Sequence, residues 1–372
     1  MKAAVSIIKC NSYEPSLVQE RARQVLDLLG GIEHFIKPQS KVLVKPNILM
    51  SKGPESGITT HPEVVRAAIK ILKEIHCKIF VGDGPSVFGK YVENVDGVYE
   101  GSGIKRICQE EGVELVKFDK RRMYEKFPLA AWLDDCDYLV NLPKFKTHEL
   151  TVLTGAIKNL FGLVPGTYKT ELHKNYHDAN EFAKIVVDIF ELATPSLTIV
   201  DGIVAMEGDG PASAGKLRNT GLLLASSDCV ALDAVLAKIM GLQPLDILTT
   251  REAARRGLGT PDISSISVVG EKLDEVTDKP FLLPTMTFRK RIPAPIMILA
   301  KKMVKYRPVV NHDLCIQCSA CILACPKKVM SVKNNRVVIN YRGCIACFCC
   351  LEVCPQAAIK VKKSLFARII GL

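Results

Sequence analysis

Eight of the fourteen cysteines stand in two copies of one spacing near the C-terminus. Cys315, Cys318 and Cys321 are separated by two residues each, and three more lead to Cys325 and Pro326. Cys344, Cys347, Cys350, Cys354 and Pro355 repeat the pattern. Two-residue gaps let a short loop wrap a cubic iron–sulfur cluster and aim three thiolates at three irons. Where such a run occurs twice, the cysteine before proline ligates the other cluster. The spacing therefore assigns Cys315, Cys318, Cys321 and Cys354 to one [4Fe-4S] cluster, and Cys344, Cys347, Cys350 and Cys325 to a second. A disulfide framework would need an oxidising compartment. The N-terminal "MKAAVSIIKC" reads as the start of a strand, not as a targeting segment. A reducing, cytoplasmic setting is the expectation. Zinc sites usually show paired CxxC units, not this run twice. Cys349, between two ligands, is expected to pack as a small buried thiol.

Around these cysteines the chain resembles the bacterial two-cluster ferredoxins, over residues 308–362. Each half runs loop, short helix, alternating strand, the strands falling in "KVMSVKNNRVVIN" and "AAIKVKK". The resemblance implies a small α+β domain. A module this short has little core of its own, so its clusters must hold it together.

Charge divides the chain. From Phe281 onward there are 16 Lys and Arg against 2 Asp and Glu, while residues 1–280 carry 34 against 37. Two oxidised cubanes with their thiolates add about −4, so the C-terminal part stays basic when loaded. A basic face could steer an acidic redox partner protein. Lys301, Lys302, Lys305 and the terminal "KKSLFARIIGL" could instead touch anionic lipid at a membrane surface. Nucleic acid is not expected, because no platform of interleaved aromatic and basic residues occurs. Residues 281–307 read as a basic, proline-containing linker, and 363–372 as a basic amphipathic tail.

Residues 1–280 must hold the remaining chemistry. "SKVLVKPNI" is a buried strand followed by a glycine-rich loop. "TTHPEVVRAAIKILKEIH" is an amphipathic helix that Thr60 or His61 can cap, with Pro62 in its first turn. "CKIFVGDGPS" is the next strand. "GVELVKF", "CDYLVNLPK", "SLTIVDGI" and "NTGLLLASSD" continue the series, with helices near 104–111, 153–161, 179–192 and 229–240. This order predicts a three-layer α/β domain with a mostly parallel sheet. In such sheets ligands bind beyond the carboxyl ends of strands. There stand Lys45, Asn47, Asp83, Lys144, Lys146, His148, Asp201 and Glu207, with His61 at a helix start and Lys158, Asn159, Lys169 and His173 further on. Each singly reads as a turn or surface residue. Together they would form a pocket for a small anionic ligand, with His148 and Lys158 as candidate acid–base groups. Lys158 is expected on a helix that Thr154 caps, with Gly155 and Gly162 allowing close approach of the ligand.

The run "KPNI", "GITTHPEVV", "VGDGPS", "NLPKFKTHELTVLTGAIKNLFGLVPGTYK", "IVDGIVAMEGDGPASAG" and "DCVALDAV" resembles the family called domain of unknown function 362, over about residues 40–270. Members often carry a C-terminal two-cluster module. The resemblance implies an architecture and a site region, but no reaction. His148, Lys158 and Pro165-Gly166 are also similar, more faintly, to the cofactor-holding stretch of nickel-pincer lactate racemases. The reading is an iron–sulfur protein that transfers single electrons through two [4Fe-4S] clusters. The electrons go to or from a substrate, a flavin or other organic cofactor, or a partner at the anion pocket. The competing reading is a ferredoxin-type carrier whose α/β domain is only a docking scaffold. Anaerobically reconstituted protein should hold about eight irons per chain and absorb broadly near 400 nm. Cys325→Ser should damage the cluster whose loop begins at Cys344. A stoichiometry near four, or loss of the other cluster only, contradicts the assignment.

Overall fold

Strands buried on both faces need helices on both sides, and the apolar alternation here supplies two separate cores. The computed structural model describes residues 3–85, 94–166, 168–176, 178–277, 279–285 and 306–364. Most of the basic linker, with Lys301, Lys302 and Lys305, and most of the tail lie outside the described residues. The main sheet contains β1 (Ala4–Lys9), β2 (Lys41–Pro46), β3 (Lys78–Val81) and β4 (Glu114–Leu115). After a small hairpin of β5 (Arg121–Tyr124) and β6 (Phe127–Ala130), it continues with β7 (Tyr138–Leu142), β8 (Lys144–His148) and β9 (Val152–Thr154). β10 (Leu197–Gly208), β11 (Gly215–Ser226) and β12 (Ser267–Gly270) complete it. Its order is β12-β1-β11-β10-β7-β2-β3-β4, and β8 and β9 extend it beside β10. Pairings are parallel except where β11 meets β1 and β10 and where β9 meets β8.

Leu43, Leu139, Val200, Leu222 and Leu224 face one core, covered by the helices Ala179–Leu192 and Cys229–Ile239. Val42, Val44, Val140, Ile199 and Leu223 face the other, covered by Pro15–Asp27 and Pro62–Glu74. These are the three layers expected. His61 is the cap of Pro62–Glu74, its ring nitrogen accepting from the Glu63 N–H. The Thr60 hydroxyl donates instead to the Leu142 carbonyl, 2.6 Å away.

One helix differs from expectation. Residues 153–161 are not a single helix. Val152–Thr154 pairs antiparallel with Lys146–His148, and only Ala156–Asn159 is α-helical before a 3-10 turn at Leu160–Leu163. Val152 sits at φ 72°, a conformation that strains a β-branched residue by roughly 1–3 kcal/mol. The apolar spacing suits a helix, but the strand pairing of the β8–β9 hairpin prevails.

The C-terminal module pairs β13 (Tyr306–Val310) with β16 (Ile359–Lys363), and β14 (Met330–Lys333) with β15 (Arg336–Ile339). Its core is small, built on Met330, Val337, Phe348, Leu351 and Ile359. The tip of the β10–β11 hairpin reaches it: Ala214 packs on that core and the Ser213 hydroxyl donates to the Pro355 carbonyl at 3.2 Å. Among the described residues no helix is long and apolar enough to cross a membrane.

Candidate functional site

The cysteine loops repeat one backbone path. Gln317 and Ala346, Ser319 and Phe348, and Lys328 and Ala357 are matched pairs with left-handed φ. This path bends each run around a chamber. Cys315, Cys318, Cys321 and Cys354 line one, and Cys344, Cys347, Cys350 and Cys325 line another. The Val329 N–H donates to Cys325 Sγ at 3.4 Å and the Ala358 N–H to Cys354 Sγ at 3.2 Å, an arrangement that favours thiolates. Among the described residues no three such ligands converge on the point a single ion would occupy. Four thiolates ringing a volume suit a cubane better than a zinc ion. The two sets are the residues that would hold the clusters.

Where the module meets the α/β domain, a half-open cleft of about 90 Å³ forms. Asn47, Asp83, Lys146, His148, Lys158 and Asn159 line it from the domain side, with Lys169 and His173 beyond them. Cys349, Glu352 and Val353 line it from the module. β8 carries Lys146 and His148 with all its side chains buried. Lys146 Nζ donates to the Ile58 carbonyl at 2.6 Å, and Lys169 to the Gly84 carbonyl. Lys158 lies over the rings of Phe161 and Phe182, 4.7 and 5.7 Å from their centroids, a cation–π arrangement. Among the described residues none of these three lysines has a carboxylate within salt-bridge distance. Burial, aided by Lys158 and Lys144, holds the Lys146 ammonium down to about 7. Burial holds Lys158 and Lys169 down to about 8. Burial, with the charges of Lys158 and Lys169, brings His173 to about 3, so its ring is neutral where it stacks on Phe182 at 4.4 Å.

His148 joins the two parts. Its Nδ1 accepts from the Leu150 N–H at 3.1 Å, which leaves the proton on Nε2. Nε2 faces Glu352 Oε1 at 3.4 Å. Burial raises the Glu352 carboxyl, while Lys158 and Lys146 oppose that rise.

Two buried ion pairs stand behind the cleft. Lys45 Nζ lies 2.8 Å from Asp83 Oδ1, and Asp83 Oδ2 accepts from the Ile48 N–H at 2.7 Å. Lys144 Nζ lies 2.8 Å from Asp201 Oδ2 and donates to the Tyr13 hydroxyl at 2.6 Å. That hydroxyl donates to Asp201 Oδ1 at 2.8 Å, and the His61 N–H donates to Asp201 Oδ2 at 2.8 Å. The His61 ring stacks on Tyr13 at 3.6 Å.

Residues 42–238 match the family described as domain of unknown function (DUF362), over more than half of the chain. The chain belongs to this family. Residues 307–355 match a 4Fe-4S dicluster domain, so this DUF362 chain carries an iron–sulfur electron-carrier module. It is similar to a thylakoid-associated protein of Synechocystis sp., 37% identical over 265 residues, which cover 69% of this chain and 81% of that one.

Of the residues singled out in the DUF362 chain, Asn47, Asp83, Lys146, His148, Lys158, Asn159, Lys169 and His173 come together in the cleft, with Lys45 behind Asp83. His61, Lys144 and Asp201 do not; they form the separate Tyr13 network. Glu207 is also elsewhere, 3.1 Å from Arg218 and accepting from the Leu282 N–H. Pro165 and Gly166 line a different recess from His148 and Lys158, so the racemase-like triplet is not assembled in one cavity. The expected anion site at the helix start is occupied by the chain's own Asp233, whose carboxylate accepts from the Ala156 and Ile157 N–H groups at 2.6 and 3.2 Å. Thr154 makes no cap there. Gly155 gives its space to Asp233, and Gly162 gives its space to the Lys45–Asp83 pair, not to a ligand. Sequence reasoning missed Glu352 and Asn141. Glu352 carried one signal: it is one of only two acids after residue 280.

Lys146 has an ordinary value of 10.5 and about 7 in the fold. Between these values the unfolded chain binds more protons. The destabilisation is therefore full below about pH 7 and relieved as pH rises toward 10.5. Denaturant unfolding of the wild type and Lys146→Met should show the difference moving toward the wild type by on the order of 2 kcal/mol from pH 6 to 9. A difference independent of pH contradicts a buried, depressed Lys146.

Proposed function

We propose that this chain exchanges single electrons between an acidic redox partner and a small anion held in the cleft between the α/β domain and the dicluster module. The observation that carries this reading is a shared wall. Ala324, Cys349 and Val353 line the cleft, and the next residue after each is Cys325, Cys350 or Cys354. A [4Fe-4S] cluster supplies a one-electron couple when bound. The chain's own residues do the rest. Lys158 and Lys169 attract and orient the anion. Lys146, held down to about 7 and so about half protonated at neutral pH, is suited to give a proton to a ligand that has gained an electron. His148, fixed by its Nδ1 contacts, keeps Glu352 and the module wall in register.

A docking scaffold alone has no use for three lysines in a cleft without paired carboxylates, since unpaired buried charge is costly. The lining of lysines and amides suits a small anion better than a flavin ring. On the partner side, Leu314 and Ile316 are exposed on either side of Cys315. Residues 306–364 carry 9 Lys and Arg against 2 acids, and of those acids Glu352 turns into the cleft. An apolar patch on a basic face suits an acidic partner.

Lys158→Ala and His148→Ala should keep iron content, and Lys158→Ala should melt within about 1 kcal/mol of the wild type. Both should lose anion-dependent reoxidation of dithionite-reduced protein. Lys144→Ala should instead lose roughly 3–5 kcal/mol of stability, because it strands Asp201. If Lys158→Ala and His148→Ala reoxidise like the wild type, the cleft is not the site and the docking scaffold is the better reading.

A further inference from the structure

The cleft's unpartnered polar atoms say what kind of anion it holds, given the reading above that it holds one. Three amides form a relay whose orientation is fixed from one end. Asn141 Nδ2 donates to the Ala156 carbonyl at 3.0 Å, and a backbone carbonyl can only accept. Asn141 Oδ1 must then accept from Asn159 Nδ2, at 2.8 Å. Asn159 Oδ1 in turn accepts from Asn47 Nδ2, at 2.8 Å. The relay leaves Asn47 Oδ1, an acceptor, as its free end in the cleft. No flip of Asn47 is available, because that would set two oxygens against each other at Asn159.

Two further atoms in the same lining have no hydrogen-bond partner among the described residues, Thr154 Oγ1 and His173 Nδ1. Both residues are buried, at 3% and 6% exposure. Orphaned polar atoms in so buried a place cost about 1–3 kcal/mol each unless something binds them. Side-chain charge sets the other requirement. Lys45 is neutralised by Asp83, so Lys146, Lys158 and Lys169, when protonated, face the single carboxylate of Glu352 with an excess of up to two positive charges.

We infer that the occupant is a small dianion that also carries a hydroxyl or N–H donor, the charges meeting the lysines and the donor meeting Asn47 Oδ1. A simple dianion would satisfy the lysines and leave the relay's end unpaired. Sites built to bond a hydroxyl discriminate strongly against analogues that lack it.

The test uses two dianions that differ by one hydroxyl, malate and succinate, with inorganic phosphate as a third probe. Calorimetric titration of the cluster-loaded chain should show malate binding at least about tenfold more tightly than succinate. Asn47→Leu and Thr154→Val should each reduce that preference, with Thr154→Val guarding against a folding defect in Asn47→Leu. Equal affinities for malate and succinate, or a preference unchanged in both variants, overturn the inference while leaving an anion-binding cleft in place. Binding of none of the three probes overturns both the inference and the electron-exchange reading on which it rests.

Discussion

An ammonium and a carboxylate removed from water must find each other, and Lys45 and Asp83 do so at 2.8 Å with exposures of 0% and 2%. The rest of the cleft depends on this constraint. Losing either partner would leave a bare buried charge, at a cost of about 3–5 kcal/mol. Asp83 uses its other oxygen on the Ile48 N–H, which fixes the turn after β2 and so the position of Asn47. The pair also takes the space that a side chain at residue 162 would fill. Lys144 at the start of β8 and Asp201 on β10 do the same, tied to Tyr13 and to the start of the Pro62–Glu74 helix. With both acids consumed by these pairs, Lys146, Lys158 and Lys169 have no carboxylate within salt-bridge distance among the described residues, and only Glu352 of the module faces them across the cleft. The cleft is positive because its nearest acids are already engaged.

The same strands bring the module to the cleft. Pro143 separates β7 from β8, and β8 continues beside the second half of β10, where Lys144 pairs with Asp201 and Lys146 with Met206. β10 and β11 therefore run well past the layered body. Their tip meets the module through Ser213 and Ala214, while His148 at the end of β8 meets Glu352. Glu352 belongs to the short helix Cys349–Glu352, which carries the ligand position Cys350 and lies between Cys347 and Cys354. One wall of the cleft is thus set by cysteine spacing and the other by strand ends, and neither part encloses it alone.

Sequence is most informative where chemistry is local. Cysteine spacing is read within a few residues, so the two ligand sets and the repeat are plain from the order of residues alone. Buried strands and the helices at 179–192 and 229–239 are legible from their apolar pattern. The region 152–163 is not, because helical spacing of Leu153, Ile157 and Leu160 competes with a pairing of Val152 to His148 that the apolar pattern does not show. The candidate site is half legible. Strand ends do gather polar residues, but which lysine is paired and which is free depends on contacts between distant segments. Asp201 is spent on Lys144 and Asp233 on the helix start. Glu352 enters the cleft from a module whose sequence speaks of clusters. The amide relay through Asn141 cannot be read from a lone asparagine inside a buried strand.

The central claim is that a small anion sits in this cleft beside the cluster of Cys344, Cys347, Cys350 and Cys325. The most direct measurement is phosphorus-31 electron–nuclear double resonance on reduced protein saturated with inorganic phosphate, compared with Lys158→Ala. The account predicts a resolved phosphorus coupling on the signal of that cluster, lost in the variant. Phosphate bound with no coupling to either cluster would contradict it.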